Sequence, residues 1–154
     1  MSAAMMPSAL SALSSRNELP QAPAIAAPAI QRKLKVVLLD DEPSILKTWK
    51  AILEAHDFEA VCCERGHEAL EAIAHGCDCV LTDYHMPDMT GIEVILAARQ
   101  FTSAPIIVMT GNDSTRLCAA ATASGAACVL SKPVPIKSAL EIIEKLCGRR
   151  GLRA

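Results

Sequence analysis

Cys79-Val80-Leu81-Thr82-Asp83-Tyr84-His85-Met86-Pro87-Asp88-Met89-Thr90-Gly91 is the stretch on which the fold turns. Four residues with the composition of a buried strand run straight into a carboxylate, and Met86-Pro87 and Gly91 then break the strand. Asp83 is exposed by that turn and held by that strand, which is the position of a nucleophile. A second cluster repeats the pattern. Val36-Val37-Leu38-Leu39 leads into Asp40-Asp41-Glu42, with Pro43 behind it. Two acidic clusters at strand ends suggest one site for a divalent metal.

On either side of these clusters the chain alternates short apolar runs with longer stretches of helical periodicity. The spacing predicts strands over 36–40, 59–63, 79–82, 106–110 and 128–131, and helices over 44–56, 66–75, 91–99, 115–124 and 136–146. Ile45, Leu46, Trp49, Ile52 and Leu53 fall at helical spacing, so Trp49 is a core-edge residue rather than a ligand stack. Repeated βα units with short loops predict an α/β class. Parallel neighbours need a crossover, and right-handed crossovers place helices on both faces of the sheet.

In such open sheets, ligands sit beyond the carboxyl ends of the strands where the strand order reverses. The polar residues at those ends are Asp40 and Asp41 after the first strand, Asp83 after the third, Thr110 after the fourth and Lys132 after the fifth. The second strand offers nothing comparable. Three carboxylates converging in one cleft repel one another unless a cation sits among them. Mg²⁺ supplies that charge, prefers oxygen ligands and needs only a few carboxylates beside water or phosphate oxygen. A lysine and a threonine opposite them suit the remaining oxygens of a phosphoryl group, whose transfer depends on positioning and charge neutralisation.

Composition agrees with this class and excludes others. The 154 residues allow one ordinary domain and a tail, and the apolar half is built from Ala, Val, Leu and Ile with only 3% aromatics, which suits doubly covered strands. A net charge of −2 and the lack of a basic base-reading helix argue against direct nucleic-acid binding. Seven cysteines, an odd count without a C-x-x-C pair, lie mostly in apolar runs and behave as small hydrophobes. They imply a reducing, cytoplasmic compartment. No apolar run of about 18 residues would insert in a membrane, and the start of the chain lacks the cationic region of a secretory signal.

Residues 1–32 are rich in Ala, Pro and Ser and are expected to form a disordered tail. The folded domain is placed at 33–148 and a short basic end at 149–154.

Leu38-Leu39-Asp40-Asp41-Glu42-Pro43, the stretch Leu81 to Gly91, Val108-Met109-Thr110-Gly111, and Gly125-Ala126 through Ser131-Lys132-Pro133 together resemble the receiver domain of bacterial two-component response regulators. The chemotaxis-regulator-like, single-domain type is the nearest in layout. The resemblance implies a flavodoxin-like, doubly wound sheet of five parallel strands in the order 2-1-3-4-5, with five helices. It implies that Asp83 accepts a phosphoryl group from a sensor histidine kinase or a histidine phosphotransfer protein. Asp41 would bind Mg²⁺ directly, Asp40 through water, and the backbone carbonyl of His85 would add a ligand, with Asp83 completing the metal set. Thr110 and Lys132 would contact the phosphoryl oxygens, and Pro133 would follow Lys132 in a cis peptide bond.

Each fragment has a plainer reading. Asp40-Asp41 before Pro43 would serve as a helix cap, Asp83 as a turn former, Thr110 as a strand-end hydroxyl and Lys132 as a solvated charge. Their joint placement argues against coincidence. His56, His67 and His75 fall on helices or their ends and are expected to face solvent, whereas His85, two residues after Asp83, is placed to tune hydrolysis of an acyl phosphate.

One departure stands out. Many receivers carry an aromatic switch residue three positions before the lysine, and here that position is Val129. Output would then be read elsewhere, through a small-residue surface of Leu117, Ala120, Ala121 and Ser124. Gly111 would leave the phosphoryl group accessible, as suits a relay intermediate. Only residues 148–154 follow the last helix, so a protein acting on a downstream effector or passing phosphate onward is expected, without an output domain. Two other classes remain. One is a phosphorylation-independent adaptor of the same fold. The other is a Mg²⁺-dependent phosphohydrolase, which ranks low because dehalogenase-type enzymes have an Asp where His85 stands; turnover of an external substrate is not expected.

Overall fold

The computed structural model describes residues 32–111 and 114–148. The chain divides into two units, Met1–Arg32 and Lys33–Ala154. The expected tail over 1–32, except for Arg32, and the basic end over 149–154 lie outside the described residues. The second unit is an alternation of β1 (Leu34–Leu39), α1 (Pro43–Ala55), β2 (Phe58–Cys63), α2 (Gly66–Ala74), β3 (Cys79–Asp83), α3 (Gly91–Ala98), β4 (Ile106–Thr110), α4 (Thr115–Ser124), β5 (Cys128–Ser131) and α5 (Ile136–Leu146).

The strands form one sheet in the order β2-β1-β3-β4-β5, all parallel. Side chains along a strand point alternately to the two faces, and both faces here are covered. Val36 and Leu38 of β1, Cys79 and Leu81 of β3, and Ile107 and Met109 of β4 pack with Trp49 and Leu53 of α1 and Leu140 and Ile143 of α5. Val37, Leu39, Val80, Ile106 and Val108 pack the other way, against Ile73 of α2, Val94 and Ile95 of α3 and Ala121 of α4. Two helices cover one face and three the other. This is why Val36–Leu39, Cys79–Leu81 and Ile106–Met109 read as unbroken apolar runs.

Several element ends differ from the sequence expectation by one or two residues, and those of β1 and β3 bear on the site. β1 begins at Leu34 because Leu34 and Lys35 pair with Phe58 and Glu59 of β2, a pairing that the charge of Lys35 disguises. It also ends at Leu39, so Asp40 lies just past the strand, its N–H donating to the Cys63 carbonyl at 3.2 Å. β3 extends to Asp83, which pairs with Met109 of β4. The chain leaves β1 for β2 on one side and returns as β3 on the other. The crevice at the carboxyl ends of β1 and β3 is therefore the place where no crossover covers the sheet. Among the described residues no helix is long and apolar enough to cross a membrane.

Candidate functional site

Asp83 and Asp40 stand at the rim of that crevice. The backbone fixes both: Tyr84 N–H donates to the Met109 carbonyl at 2.9 Å, pinning Asp83 to β4, while the Cys63 carbonyl holds Asp40. Asp40 is 2% exposed and Asp83 8%, whereas Asp41 faces solvent. One carboxylate oxygen from each of the three lies within 4.8 Å of the others. Asp40 does not cap α1, whose N-cap is Glu42 without a side-chain hydrogen bond. Its Oδ1 instead accepts from the Glu42 N–H at 2.9 Å, a local turn that leaves Oδ2 for the cluster.

Lys132 enters from the end of β5, two strands away from β3. Its backbone N–H donates to the Thr110 carbonyl at 2.8 Å, so the lysine and the threonine are set by one ladder contact. The side chain then reaches across, with Nζ 3.3 Å from Asp83 Oδ1 and 3.5 Å from Asp40 Oδ2. Thr110 is 0% exposed at the end of β4. The peptide bond from Lys132 to Pro133 is cis, as the resemblance implied.

These charges strain one another. Burial pushes the Asp40 carboxyl above its ordinary range, against the pull of the Glu42 N–H and the Lys132 ammonium, and the Asp83 charge adds to the upward push. For Lys132, burial works downward, yet the attraction of Asp83 and Asp40 outweighs it and holds the ammonium above its ordinary value. Three carboxylates less one ammonium leave two net negative charges in the cluster. At about 4 Å and an effective dielectric near 20, each like-charge pair costs roughly 4 kcal/mol. A hard dication cancels that excess, and an all-oxygen donor set is the one Mg²⁺ prefers. The residues present fit such an ion.

The segment after Asp83 is closed on itself. Gly91 N–H donates to the Tyr84 carbonyl at 2.7 Å, His85 and Thr90 form an antiparallel bridge, and Thr90 and Glu93 make a reciprocal cap at the start of α3. The backbone passes close to Gly91, where a Cβ would meet Tyr84 Cα at 3.1 Å, a crowded contact. The exposed His85 ring stands edge-on to Tyr84, with centroids 4.8 Å apart.

The structure thus brings together Asp40, Asp41, Asp83 and Lys132, with Thr110 tied to Lys132 through the backbone. Val129 pairs with Val108 and is half-buried against the face carrying α2, α3 and α4. Ala121 is 0% exposed and belongs to the core on the face carrying α2, α3 and α4, so it is no part of the expected small-residue surface. His56 and His75 are exposed and contact backbone carbonyls one turn back, at 2.8 and 2.7 Å.

His67 is exposed as well, but it is not idle. Asp88 Oδ1 accepts from the Gly66 N–H at 2.9 Å and Oδ2 from the His67 N–H at 3.1 Å, with His67 Nδ1 also 3.1 Å from Oδ2. Desolvation acts upward on Asp88, but these donors overcome it and hold the carboxyl down at about 2. Sequence reasoning did not find this contact, because nothing local to residues 64–67 signals a cap supplied from 22 positions away.

Comparison with known proteins agrees with the geometry. A model described as the response regulator receiver domain matches residues 36–144. The chain is 30% identical over 120 residues to the two-component response regulator ARR2 of Arabidopsis thaliana, covering 76% of this chain and 18% of that protein. It is 33% identical over 99 residues to the transcriptional regulatory protein KdpE of Mycobacterium tuberculosis, covering 64% of this chain and 44% of the relative. It therefore spans less than half the length of either. Among solved structures, a CheY-like response regulator receiver domain protein from Methanospirillum hungatei superimposes with a TM-score of 0.72 at 27% identity, over 75% of this chain and 94% of that one.

Proposed function

This chain belongs to the response regulator receiver domain family, and from that premise we propose that it is a Mg²⁺-dependent phosphoacceptor whose acceptor is Asp83. The observation that carries the reading is the reach of Lys132 to Asp83 and Asp40 inside a three-carboxylate cluster. A phosphohistidine on a sensor kinase or phosphotransfer protein supplies the group. An Asp83 oxygen attacks phosphorus, the P–N bond breaks, the imidazole leaves, and an acyl phosphate remains on Asp83.

Asp40, Asp41 and Asp83, with the His85 backbone carbonyl, hold the metal. When bound, Mg²⁺ neutralises charge on the incoming phosphoryl oxygens. Lys132, freed from sharing its charge between two carboxylates, pairs with a phosphoryl oxygen, and Thr110 donates its hydroxyl to another. The acyl phosphate carries about −2 where the carboxylate carried a single charge, so the crevice gains about one negative charge. That charge shifts the loop after β4 and so the surface that an effector protein reads. The domain spans 33–148, works in the cytoplasm without inserting in a membrane or contacting nucleic acid, and turns over no external substrate.

Intact-mass measurement after incubation with acetyl phosphate tests this. We expect a gain of one phosphoryl group that requires Mg²⁺ and is absent in Asp83→Asn. Failure of the wild type both to gain mass and to bind beryllofluoride would replace the reading with a phosphorylation-independent adaptor.

A further inference from the structure

The start of α2 takes its cap from the wrong place. Helix N-termini leave backbone N–H groups without partners, and a side chain immediately before the helix ordinarily satisfies them. Here the N-cap is Arg65, whose side chain makes no such bond. Asp88 does the work from the loop that leaves the acceptor strand, taking the N–H groups of both Gly66 and His67 and lying 3.1 Å from His67 Nδ1.

The neighbouring residue grips the same point. A Cβ on Gly66 would stand 2.5 Å from Met89 Sδ and 2.7 Å from its Cγ, so the glycine leaves the space that Met89 fills. Residues 88 and 89 are thus held to α2 by hydrogen bonds and by packing together. The other end of the loop is held by Asp83 itself and by the closure of Gly91 onto Tyr84. Between those two anchors lies His85, whose backbone bridges to Thr90.

We propose that Asp88 is a positioning residue for the metal site: by fastening the loop to α2 it fixes where the His85 carbonyl is presented to the cation beside Asp83. The inference rests on the phosphoacceptor reading and adds α2 to the elements that build the site. Asp88 touches neither metal nor phosphoryl group. A cap serving α2 alone would need no partner in this loop, whereas a cap taken from it makes the loop's position depend on the helix. Groups that orient a metal ligand commonly alter affinity when removed, by about 10–100-fold.

The test uses the full chain and Mg²⁺ alone as ligand. Calorimetric titration is run on wild type, Asp88→Ala, Asp88→Asn and His67→Ala, with thermal midpoints measured without metal. We expect Asp88→Ala to weaken Mg²⁺ binding by roughly tenfold. Asp88→Asn, which keeps one acceptor oxygen, should fall between it and wild type, and His67→Ala should stay near wild type because both backbone donors remain. A lowered midpoint with unchanged Mg²⁺ affinity would make Asp88 a helix cap only and overturn the proposal. If Asp88→Ala does not fold, unchanged affinity in Asp88→Asn has the same force. A wild type that ignores Mg²⁺ would overturn the site reading and this inference with it, whereas normal wild-type binding with indifferent variants overturns this inference alone.

Discussion

Asp40 sits where a carboxylate is costly: it is 2% exposed and faces Asp83 within the acidic cluster. Its pKa is raised in the folded chain, so between the unfolded value and the raised one the folded state binds more protons, and stability falls as pH rises through that window. Asp40→Asn removes the buried charge. It should raise the metal-free thermal midpoint at neutral pH while weakening Mg²⁺ binding, measured by melting and calorimetry on the same preparation. Lys132 shifts in the same direction for the opposite reason, since its charged form is the one the fold favours. Its pKa is raised by Asp83 and Asp40, so its contribution is present below the unfolded lysine value and is lost only as pH rises through the higher folded one. On the acid side it weakens as Asp40, whose carboxyl lies above its ordinary range, protonates. Lys132→Ala should lower the midpoint at neutral pH, and the gap to wild type should narrow as pH falls and Asp40 takes up its proton. Asp40, Asp41, Asp83, Thr110 and Lys132 were legible as candidates because each stands at or just past a strand end. Asp88 was not, because its partners are near only in space.

At the scale of elements, the helices over Thr115–Ser124 and Ile136–Leu146 and the strands over Ile106–Thr110 and Cys128–Ser131 have the bounds their periodicity predicts. Three helices differ from their periodicity by one residue at one or both ends, and strand bounds at β1 and β3 were missed because tertiary pairing decides them: Lys35 is in β1 because β2 lies beside it, and Asp83 is in β3 because β4 does. At the end of the sheet away from the site, Arg99 joins three connections. Its guanidinium donates to the carbonyls of Thr102 at 3.3 Å, Ala104 at 2.7 Å and Gly125 at 2.9 Å. It thereby ties the exit of α3, the entry to β4 and the turn after α4. Gly125 holds φ +117 there, a conformation that L side chains rarely adopt. Arg99→Ala leaves these partly buried carbonyls without their charged donor. It should cost about 2–3 kcal/mol in urea unfolding while leaving Mg²⁺ affinity unchanged, because no site residue is involved.

For the molecule as a whole, the sheet separates two cores, one under α1 and α5 and one under α2, α3 and α4, and the site lies at the end where β1 and β3 part. Every strand and helix of this arrangement falls within Leu34–Leu146. A chain beginning at Lys33 should therefore unfold in a single cooperative transition with a midpoint close to that of the full chain, as followed by circular dichroism; a broad or split transition would mean that residues 1–32 complete the fold. The fold class and strand order followed from the alternation of apolar runs and from the resemblance. The way the sheet's two faces divide the helices between them required the structure. The central claim is that phosphate is carried on Asp83, and borohydride reduction of the phosphodonor-treated protein tests it most directly, since an aspartyl phosphate is converted to homoserine at the residue that bore it. Peptide mass mapping should place homoserine at position 83, only when phosphodonor and Mg²⁺ were both present. Homoserine at position 40 or 41, or none at any position in a protein that had gained phosphoryl mass, would contradict the account.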